Sequence, residues 1–510
     1  MTTCDSVIKM KRKKSVELSF FIGVFFLALS LLWGAEVKDK KSDESWMGVY
    51  LEGVKAGYSH SYTEAFFKEG RKYSKTYSET NLRVTRLGGS PIEIVTVQES
   101  LYDDKGYPVE MVVRTKMSET ETVIRAGISQ GFILFEMGGK TVKEIPNKKS
   151  FYLEVPVEDW INENKFKKGA VFDFFILDPV AYSISECRYE VLGKENIRIL
   201  GKDYKLWHTR SELTSLVPVV AEEWIDDKGD IYKSEVWTGI LNTISLKMSK
   251  QEAQEREDRT VDIAYSTVIR PDKELENPRE IRSMTMEFRG LSGEKMDSFP
   301  WDSRSQKIKE RKEDSFIIQT GSVIFDEEKA VSFPVRKEEL KSSLEQTLFC
   351  QSDDPDIRAT AERIVGEEKN SWRAAEKIAA WVRKEVMPNY NVGFASAKET
   401  LKNREGDCSE YTVLFTALCR SIGIPARASV GIMYGGSFFA YHMWPEVYVG
   451  EWIDLDPKWF CVDPKTGVYY TDATHIKFGR TELDENLFRE MVLSASEIIG
   501  KLSIRIIKYK

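Results

Sequence analysis

One cysteine of this 510-residue chain lies in a setting suited to nucleophilic chemistry. Cys408 occurs in the segment NREGDCSEYTVLF, and the apolar residues after it recur at the spacing of one helical face. Asp407 and Glu410 fit a capping box, which makes Cys408 the first residue of the predicted helix. The backbone N–H groups of a helix start favour a thiolate and can bind an oxyanion, so Cys408 is a candidate nucleophile. The alternative is a small buried cysteine that seals the helix end.

A thiol nucleophile usually needs an imidazole and a group that orients the imidazole. Of the four histidines, only His442 and His475 lie in the helix-containing C-terminal region. His442 lies in a predicted strand, and Asp454 and Asp456 share one face of the next strand, so either carboxylate could hold the far ring nitrogen. The alternative is a histidine satisfied within its sheet, flanked by turn aspartates. We interpret His475 as a surface or packing residue.

The segments around these residues form an ordered set of motifs. They are GDC at the helix start, ALCRSIGIPAR at its end, H-x-W-x-E-V-Y-V and W-x-x-x-D-P in the two strands, and DATHIKF downstream. Together they strongly resemble the transglutaminase-like superfamily of papain-type thiol enzymes, over roughly a quarter of the chain. The resemblance implies a triad of Cys408 as nucleophile, His442 as general base and Asp456 as orienting carboxylate. Pro445 in the histidine strand indicates an edge or a bulge.

The resemblance implies an enzyme that acts on amide bonds of a protein or peptide substrate. Water would resolve the thioester in a peptidase or amidase, and an amine would do so in a cross-linking acyltransferase; similarity to bacterial members with a large β domain favours hydrolysis. A catalytically silent envelope protein that binds ligand through its β domain is the remaining alternative. Trp381, Tyr390 and Asn391 are candidates for the side chain that completes the oxyanion hole. No zinc-type spacing or acidic calcium loop occurs, so we predict no metal and no cofactor.

The first half of the chain reads as β structure that precedes the chemistry-bearing segment. Short runs of alternating apolar residues, separated by glycine-containing turns, predict an antiparallel β domain. The segment DDKG occurs at 103–106 and again at 226–229, each time between runs suited to strands. A duplicated β unit would explain this repeat, but favourable turn chemistry explains it as well, and we prefer the second explanation.

These patterns divide the chain into five predicted parts and define an α+β fold class. Residues 1–35 are a signal peptide or N-terminal membrane anchor, and 36–300 are the large, mostly antiparallel β domain. A charged linker with a short β segment follows at 301–350. Residues 351–480 are the transglutaminase-like, papain-type core, with helices packed on an antiparallel sheet, and 481–510 are a C-terminal helix or strand extension.

The N-terminus predicts export. A basic cluster at 9–14 precedes an apolar run at 18–33, which has the shape of a secretory signal or of a retained anchor associated with the membrane. Both interpretations place the rest of the chain outside the cytoplasm, in the periplasm or anchored to the membrane. The net charge of −7 offers no basic footprint, so we predict no nucleic-acid partner. Five cysteines follow the apolar run, and this odd number predicts at least one free thiol.

Overall fold

The structure is a computed structural model of the whole chain. It describes residues 44–85, 91–117, 120–216, 218–238, 242–262, 267–301, 303–390, 394–484 and 498–510, together with 486–487, 490–491 and 495. The predicted signal or anchor segment lies outside these residues. No helix within them is long and apolar enough to cross a membrane.

Fifteen strands of the first half form one sheet. Their bounds are Ser45–Leu51 (β1), Val54–Lys68 (β2), Arg71–Thr85 (β3), Ile92–Tyr102 (β4), Pro108–Met117 (β5), Thr120–Ile128 (β6), Phe132–Met137 (β7), Lys140–Pro146 (β8), Val171–Asp178 (β9), Ser183–Ile199 (β10), Lys202–Thr214 (β11), Val219–Ile225 (β12), Ile231–Trp237 (β13), Asn242–Lys247 (β14) and Val261–Asp262 (β15). The order is β8 to β1, then β14 to β9, so sequential hairpins extend on both sides of the β1–β14 pair. β15 pairs with β3 in parallel.

Alternation along these strands gives the sheet one buried face, as β3 illustrates. Both DDKG segments form the predicted turns, between β4 and β5 and between β12 and β13. In each, the first aspartate (Asp103 or Asp226) accepts hydrogen bonds at 2.8–3.0 Å from backbone N–H groups two and four residues later. Two short helices, Val157–Asn162 (α1) and Lys250–Gln254 (α2), lie in the connections of this half.

A second sheet joins the middle of the chain to its C-terminus. It contains Ser283–Arg289 (β16), Gln306–Arg311 (β17), Ser315–Gly321 (β18) and the last strand, Ser503–Tyr509 (β27), in the order β17-β18-β16-β27, with the helix Gly293–Ser298 (α3) between β16 and β17.

The charged stretch before residue 315 is therefore a hairpin strand and not the expected solvated linker. In β17, Gln306 is buried and Ile308 half-buried, whereas the charged residues between and after them point outward. A dense run of charges can thus form one exposed strand face while the other face packs. Strand β16, which lies within the expected β domain of 36–300, pairs with β18 and β27 and not with the large sheet.

The C-terminal core places four helices against a four-stranded antiparallel sheet, which confirms the α+β class. The helices are Pro355–Val365 (α4), Ser371–Glu385 (α5), Ala397–Asn403 (α6) and Cys408–Ser421 (α7). The strands of this sheet are Ala426–Tyr434 (β21), Phe439–Tyr448 (β22), Trp452–Asp454 (β23) and Ile476–Thr481 (β26). Two further pairs of short strands are Met387–Pro388 (β19) with Glu405–Gly406 (β20), and Cys461–Val462 (β24) with Tyr469–Tyr470 (β25). The sheet order is β23-β22-β21-β26.

Helix α7 lies at the centre of this core. The sequence predicts that one apolar face of this helix is buried, but every residue from Cys408 to Ser421 is buried. The other three helices pack around it on one side, and β21 and β22 pack on the other. A helix enclosed in this way holds its first residue rigidly, which suits a nucleophile.

Strand β22, which carries His442, is internal to the sheet, so the expected edge position is wrong. Its proline is tolerated because the neighbouring strand β23 ends there: the Pro445 carbonyl accepts the N–H of Leu455 at 3.1 Å, just after β23 finishes at Asp454. Main-chain N–H and C=O groups of one strand residue point to the same side, so the N–H that proline lacks faces the end of β23.

Candidate active site

The predicted capping box at the start of α7 is confirmed. The Asp407 carboxylate accepts the N–H of Ser409 at 3.0 Å, and the Glu410 carboxylate accepts the N–H of Asp407 at 2.8 Å. Gly406 is required for this arrangement, since a Cβ at that position would lie 2.1 Å from the Cβ of Glu410. The GDC motif therefore has a local physical reason: glycine leaves room for the capping side chain, and the cap fixes the cysteine on the first turn.

Strand β22, which carries His442, packs against the helix that Cys408 begins. The carbonyl of Met443 accepts the Thr412 hydroxyl at 3.1 Å, and the Met443 backbone lowers the pKa of Cys408. This contact fixes Met443 to helix α7. His442, one residue earlier on β22, is thereby held beside the helix that Cys408 begins.

Asp456 orients the His442 ring. Its Oδ2 lies 2.6 Å from His442 Nε2, and its Oδ1 accepts the backbone N–H groups of Lys458 and Trp459 at 2.8 and 3.0 Å. Since an ionised carboxylate can only accept, Nε2 carries the ring proton and Nδ1 is the basic nitrogen of the neutral ring. Burial alone would raise the pKa of Asp456, but the bonded histidine rings hold this pKa well below its usual range.

The structure separates the two aspartates that were expected to share one strand face, because β23 ends at Asp454 and Asp456 lies beyond it. Asp454 accepts the Trp444 indole N–H at 2.8 Å and the Ser305 hydroxyl at 2.7 Å, and it pairs with Lys477 at 2.8 Å. The Trp444 ring stacks near the His442 ring, with centroids 5.7 Å apart. Asp454 therefore anchors the surroundings of the imidazole, while Asp456 contacts the imidazole itself.

Of the two roles expected for His475, surface or packing, the surface position is wrong. His475 is buried, and its Nε2 lies 3.2 Å from the same Asp456 Oδ2 that binds His442. The two histidine rings are 5.3 Å apart between centroids. The signal in the sequence was an aspartate three residues before a histidine at the entrance of an apolar strand, in DATHIKF.

The expected preference of Cys408 for the thiolate is also wrong in the free protein. Burial raises the pKa of Cys408 well above its ordinary value, and the charge of Asp407 raises it further, while the Met443 backbone acts in the opposite direction. Enclosure of the helix start outweighs the favourable N–H groups because a buried thiolate loses its hydration. A neutral thiol needs a base before it can act as a nucleophile.

The cap also limits which helix-start groups can bind an oxyanion. The N–H groups of Ser409 and Glu410 are used by the Asp407 side chain, and that of Tyr411 by the Asp407 carbonyl. The N–H of Cys408 is the first-turn donor that the cap leaves. Among the side-chain candidates, Trp381 packs under the Arg404 guanidinium, and Asn391 lies outside the described residues.

One group in the described residues has the proximity of a metal site. Single ligand atoms of His442, Asp456 and His475 lie within 4.8 Å of one another. The 2.6 Å between His442 Nε2 and Asp456 Oδ2 is a hydrogen-bond distance. It is shorter than the distance between two ligand atoms that bind one tetrahedral zinc ion. The arrangement therefore fits a hydrogen-bonded chain and not a metal centre.

Lys458 is an unusual buried cation beside this site. Its Nζ lies over three aromatic rings, 4.7 Å from the centroid of Tyr390, 5.3 Å from that of Tyr411 and 5.7 Å from that of Trp459. Burial lowers the pKa of Lys458 to about 7. The aromatic faces stabilise the charge only in part, so the lysine loses its proton readily.

The Lys458→Met variant is expected to show a weaker dependence of stability on pH. The depressed pKa means that the unfolded chain binds more protons than the folded chain between about pH 7 and 10, so wild-type stability rises with pH in that window. The variant should lose roughly 2–4 kcal/mol of this rise. Denaturant unfolding at pH 7 and 9.5 measures it, with the exposed Lys465→Met as the matched control. Equal pH dependence in Lys458→Met and wild type would contradict the buried-cation assignment.

Part of this core matches the model of a known family. Residues 358–457 match the family model of the transglutaminase-like superfamily. The resemblance inferred from the GDC helix and the two following strands is thereby confirmed for this part of the chain. Comparison with curated proteins finds no match.

Three solved structures share parts of the fold at low identity. One, described as a candidate cysteine protease from Cytophaga hutchinsonii, is 19% identical over 44% of this chain and 82% of its own, with a TM-score of 0.28. A β-barrel-like protein from Brucella abortus, a domain of unknown function, is 11% identical over 40% and 95%, with a TM-score of 0.31. A candidate protease from Parabacteroides distasonis is 8% identical over 74% and 68%, with a TM-score of 0.20. Similarities at these TM-scores carry no argument about function.

Proposed function

We propose that this protein is a thiol enzyme that hydrolyses amide bonds of a protein or peptide through Cys408, His442 and Asp456. One observation carries the proposal. A hydrogen bond of 2.6 Å joins His442 to Asp456, while the residue after His442 accepts a hydrogen bond from Thr412 of the helix that Cys408 begins. A nucleophile, a base and a group that orients the base are the parts that thiol catalysis needs.

The protons can be followed through the proposed reaction. His442 Nδ1 takes the proton of the neutral Cys408 thiol as the sulfur attacks the amide carbonyl, and the carbonyl oxygen becomes an oxyanion near the Cys408 N–H. The tetrahedral intermediate expels the amine, which leaves with the proton from His442. Water then attacks the thioester as His442 accepts its proton, and the released Cys408 sulfur regains that proton. Asp456 stays ionised and stabilises the imidazolium that forms at each stage.

The choice between water and an amine as acceptor requires an experiment. The purified protein is incubated with a peptide library in ¹⁸O-labelled water, with and without a fluorescent primary amine, and the products are read by mass spectrometry. New C-termini that carry ¹⁸O support hydrolysis. Amine adducts would replace it with transamidation, and the absence of both products would contradict amide chemistry altogether.

Export is the second part of the proposal, and it rests on the sequence of residues 1–35. A basic cluster followed by an apolar run is the pattern that directs a chain across the membrane. A fusion of residues 1–40 to a β-lactamase that lacks its own signal should confer ampicillin resistance on a bacterial host. The control replaces three apolar residues, Phe20, Phe21 and Phe25, by aspartate. Equal resistance from both fusions, or none from the native one, would contradict export.

A further inference from the structure

His475 presents both ring nitrogens to oxygens that can only accept hydrogen bonds. Its Nε2 faces Asp456 Oδ2 at 3.2 Å, and its Nδ1 faces the Asp472 carbonyl oxygen at 3.2 Å and the Asp472 carboxylate at 3.5 Å. A neutral imidazole has one donor and one acceptor nitrogen and would leave one of these contacts without a hydrogen. The geometry therefore requires a ring with two protons, which is an imidazolium.

We propose that His475 is a positioning residue held as a cation, and that its charge on Asp456 keeps His442 neutral in the resting enzyme. The inference rests on the proposed function, since it assigns His442 the role of base toward Cys408. It adds a second histidine to the site, which acts through Asp456 and does not touch the reacting atoms.

The charges around His475 alternate along one acid–base chain, formed by Arg279, Asp472, His475 and Asp456. Arg279 Nη1 lies 2.7 Å from Asp472 Oδ2, and Asp472 is fully buried. With His475 as a cation, the four charges sum to zero before His442 gains a proton. Without that cation the acid–base chain would carry one negative charge, and a buried negative charge attracts a proton to the neighbouring imidazole.

The titratable groups that face His475 come from several elements of the core. Asp456 follows β23, Asp472 precedes β26, His442 lies on β22, and Asp454 lines a small pocket together with His475. Burial lowers the pKa of His475, but the charges and hydrogen bonds of Asp472 and Asp456 outweigh burial and raise the pKa above its ordinary value. This direction agrees with the two-proton geometry.

The sheet holds the two histidines at a fixed separation. Gly431 of β21 lies opposite His442 on one side and opposite the start of β26, just after His475, on the other. A Cβ on Gly431 would lie 2.0 Å from the carbonyl oxygen of Ile476, so only glycine lets β26 approach this closely. The spacing of both rings around Asp456 is thus set by the backbone.

A neutral His442 matches the state of the nucleophile. Because the Cys408 thiol keeps its proton at rest, an already protonated His442 could not accept it and the first step would stop. The positive charge of His475 offsets the negative charge of Asp456. Asp456 therefore stabilises a second proton on the His442 ring less strongly, and His442 stays neutral. Loss of the cation should leave His442 protonated to higher pH and move the acid limb of the pH–rate profile in the same direction.

Nitrogen-15 NMR of histidine-labelled full-length protein tests this directly, because the chain has only four histidines to assign. We expect wild-type His475 to carry two ring protons at pH 7. In H475Q, whose amide can still donate to Asp456 but has no charge, we expect His442 to stay protonated to a pH higher by roughly 0.5–1 unit. The matched control is H208Q, the same substitution at a remote histidine in β11, which should leave the His442 titration unchanged.

D472N gives a second route if H475Q does not fold. It retains His475 but removes the carboxylate that stabilises its charge, so His475 should lose a proton at lower pH than in wild type. Because D472N also removes one negative charge from the acid–base chain, it tests the charge of His475 and not the titration of His442. A neutral His475 at pH 7 in wild type, an unchanged His475 titration in D472N, or an unchanged His442 titration in folded H475Q would overturn the inference. A shifted His442 titration supports it even if no peptide is turned over, and in that case the proposed function alone fails.

Discussion

Alanine in place of Cys408 is expected to lower the rate of peptide turnover by about 10⁴-fold or more. Without the sulfur no thioester forms, and His442 has no thiol proton to accept. The measurement is the initial rate of product formation from the peptide library, compared between wild type and C408A at equal concentration. The fold should survive, because the substitution removes one atom from a residue whose helix is held by its cap and by packing on all sides.

The matched control for this prediction is C419A on the same helix. Cys419 is fully buried, and it is a cysteine with no place in the proposed chemistry. C419A should keep most of the wild-type rate and lose about 1 kcal/mol of stability through the small cavity it creates. If C408A retained a rate within tenfold of wild type, or if C419A lost as much activity as C408A, the nucleophile assignment would be refuted.

Asparagine in place of Asp456 is expected to lower kcat/KM by about 10²–10⁴-fold. The asparagine amide lacks the charge that stabilises the His442 imidazolium. Its N–H₂ group would also face the ring of His442 or His475, and both rings donate hydrogen bonds to this position. His442 would then adopt the wrong tautomer or orientation. Steady-state rates across pH 5 to 10 measure the loss, and because the charge is absent at every pH, the deficit should persist over the whole range.

D454N is the matched control, since the two aspartates lie two residues apart and differ in what they contact. Asp454 bonds Trp444 and Lys477, and Lys477 is almost fully buried. D454N should therefore lose stability, roughly 1–3 kcal/mol in denaturant unfolding, while its kcat/KM stays within about tenfold of wild type. A D456N protein with near wild-type kcat/KM, or losses of equal size in the two variants, would contradict the division of roles.

Local patterns were sufficient for part of this site. The capping box, the helix that begins at Cys408 and the two DDKG turns were predictable because each depends on residues within four positions of one another. The strand that carries His442 was predictable for the same reason, but the strand face expected to carry both aspartates is wrong, because β23 ends at Asp454 and Asp456 lies beyond it. The resemblance to a known family then selected Asp456 over Asp454, a choice that periodicity alone left open.

Other features depended on contacts between distant segments. The charged run in β17 is a sheet strand only because β18 pairs with it, and β18 in turn pairs with β16, which also binds the C-terminal β27. A charged run that lacks such partners would be solvated. β17 and β18 form a short hairpin, but β16 and above all β27 lie far from them along the chain, so no local pattern indicates the whole sheet.

The chemistry of Cys408 and His475 was decided by the tertiary structure. A helix start favours a thiolate when it is open to solvent, but enclosure on all sides removes the hydration of the charge and reverses the direction of the pKa shift. His475 became part of the site only when β26 came alongside β21 and placed its ring on Asp456, next to a carboxylate held by Arg279. The sequence by itself determined which residue begins the helix, because capping is local. The protonation of the residues around it depends on burial and on charges brought together by folding, and only the folded chain defines these.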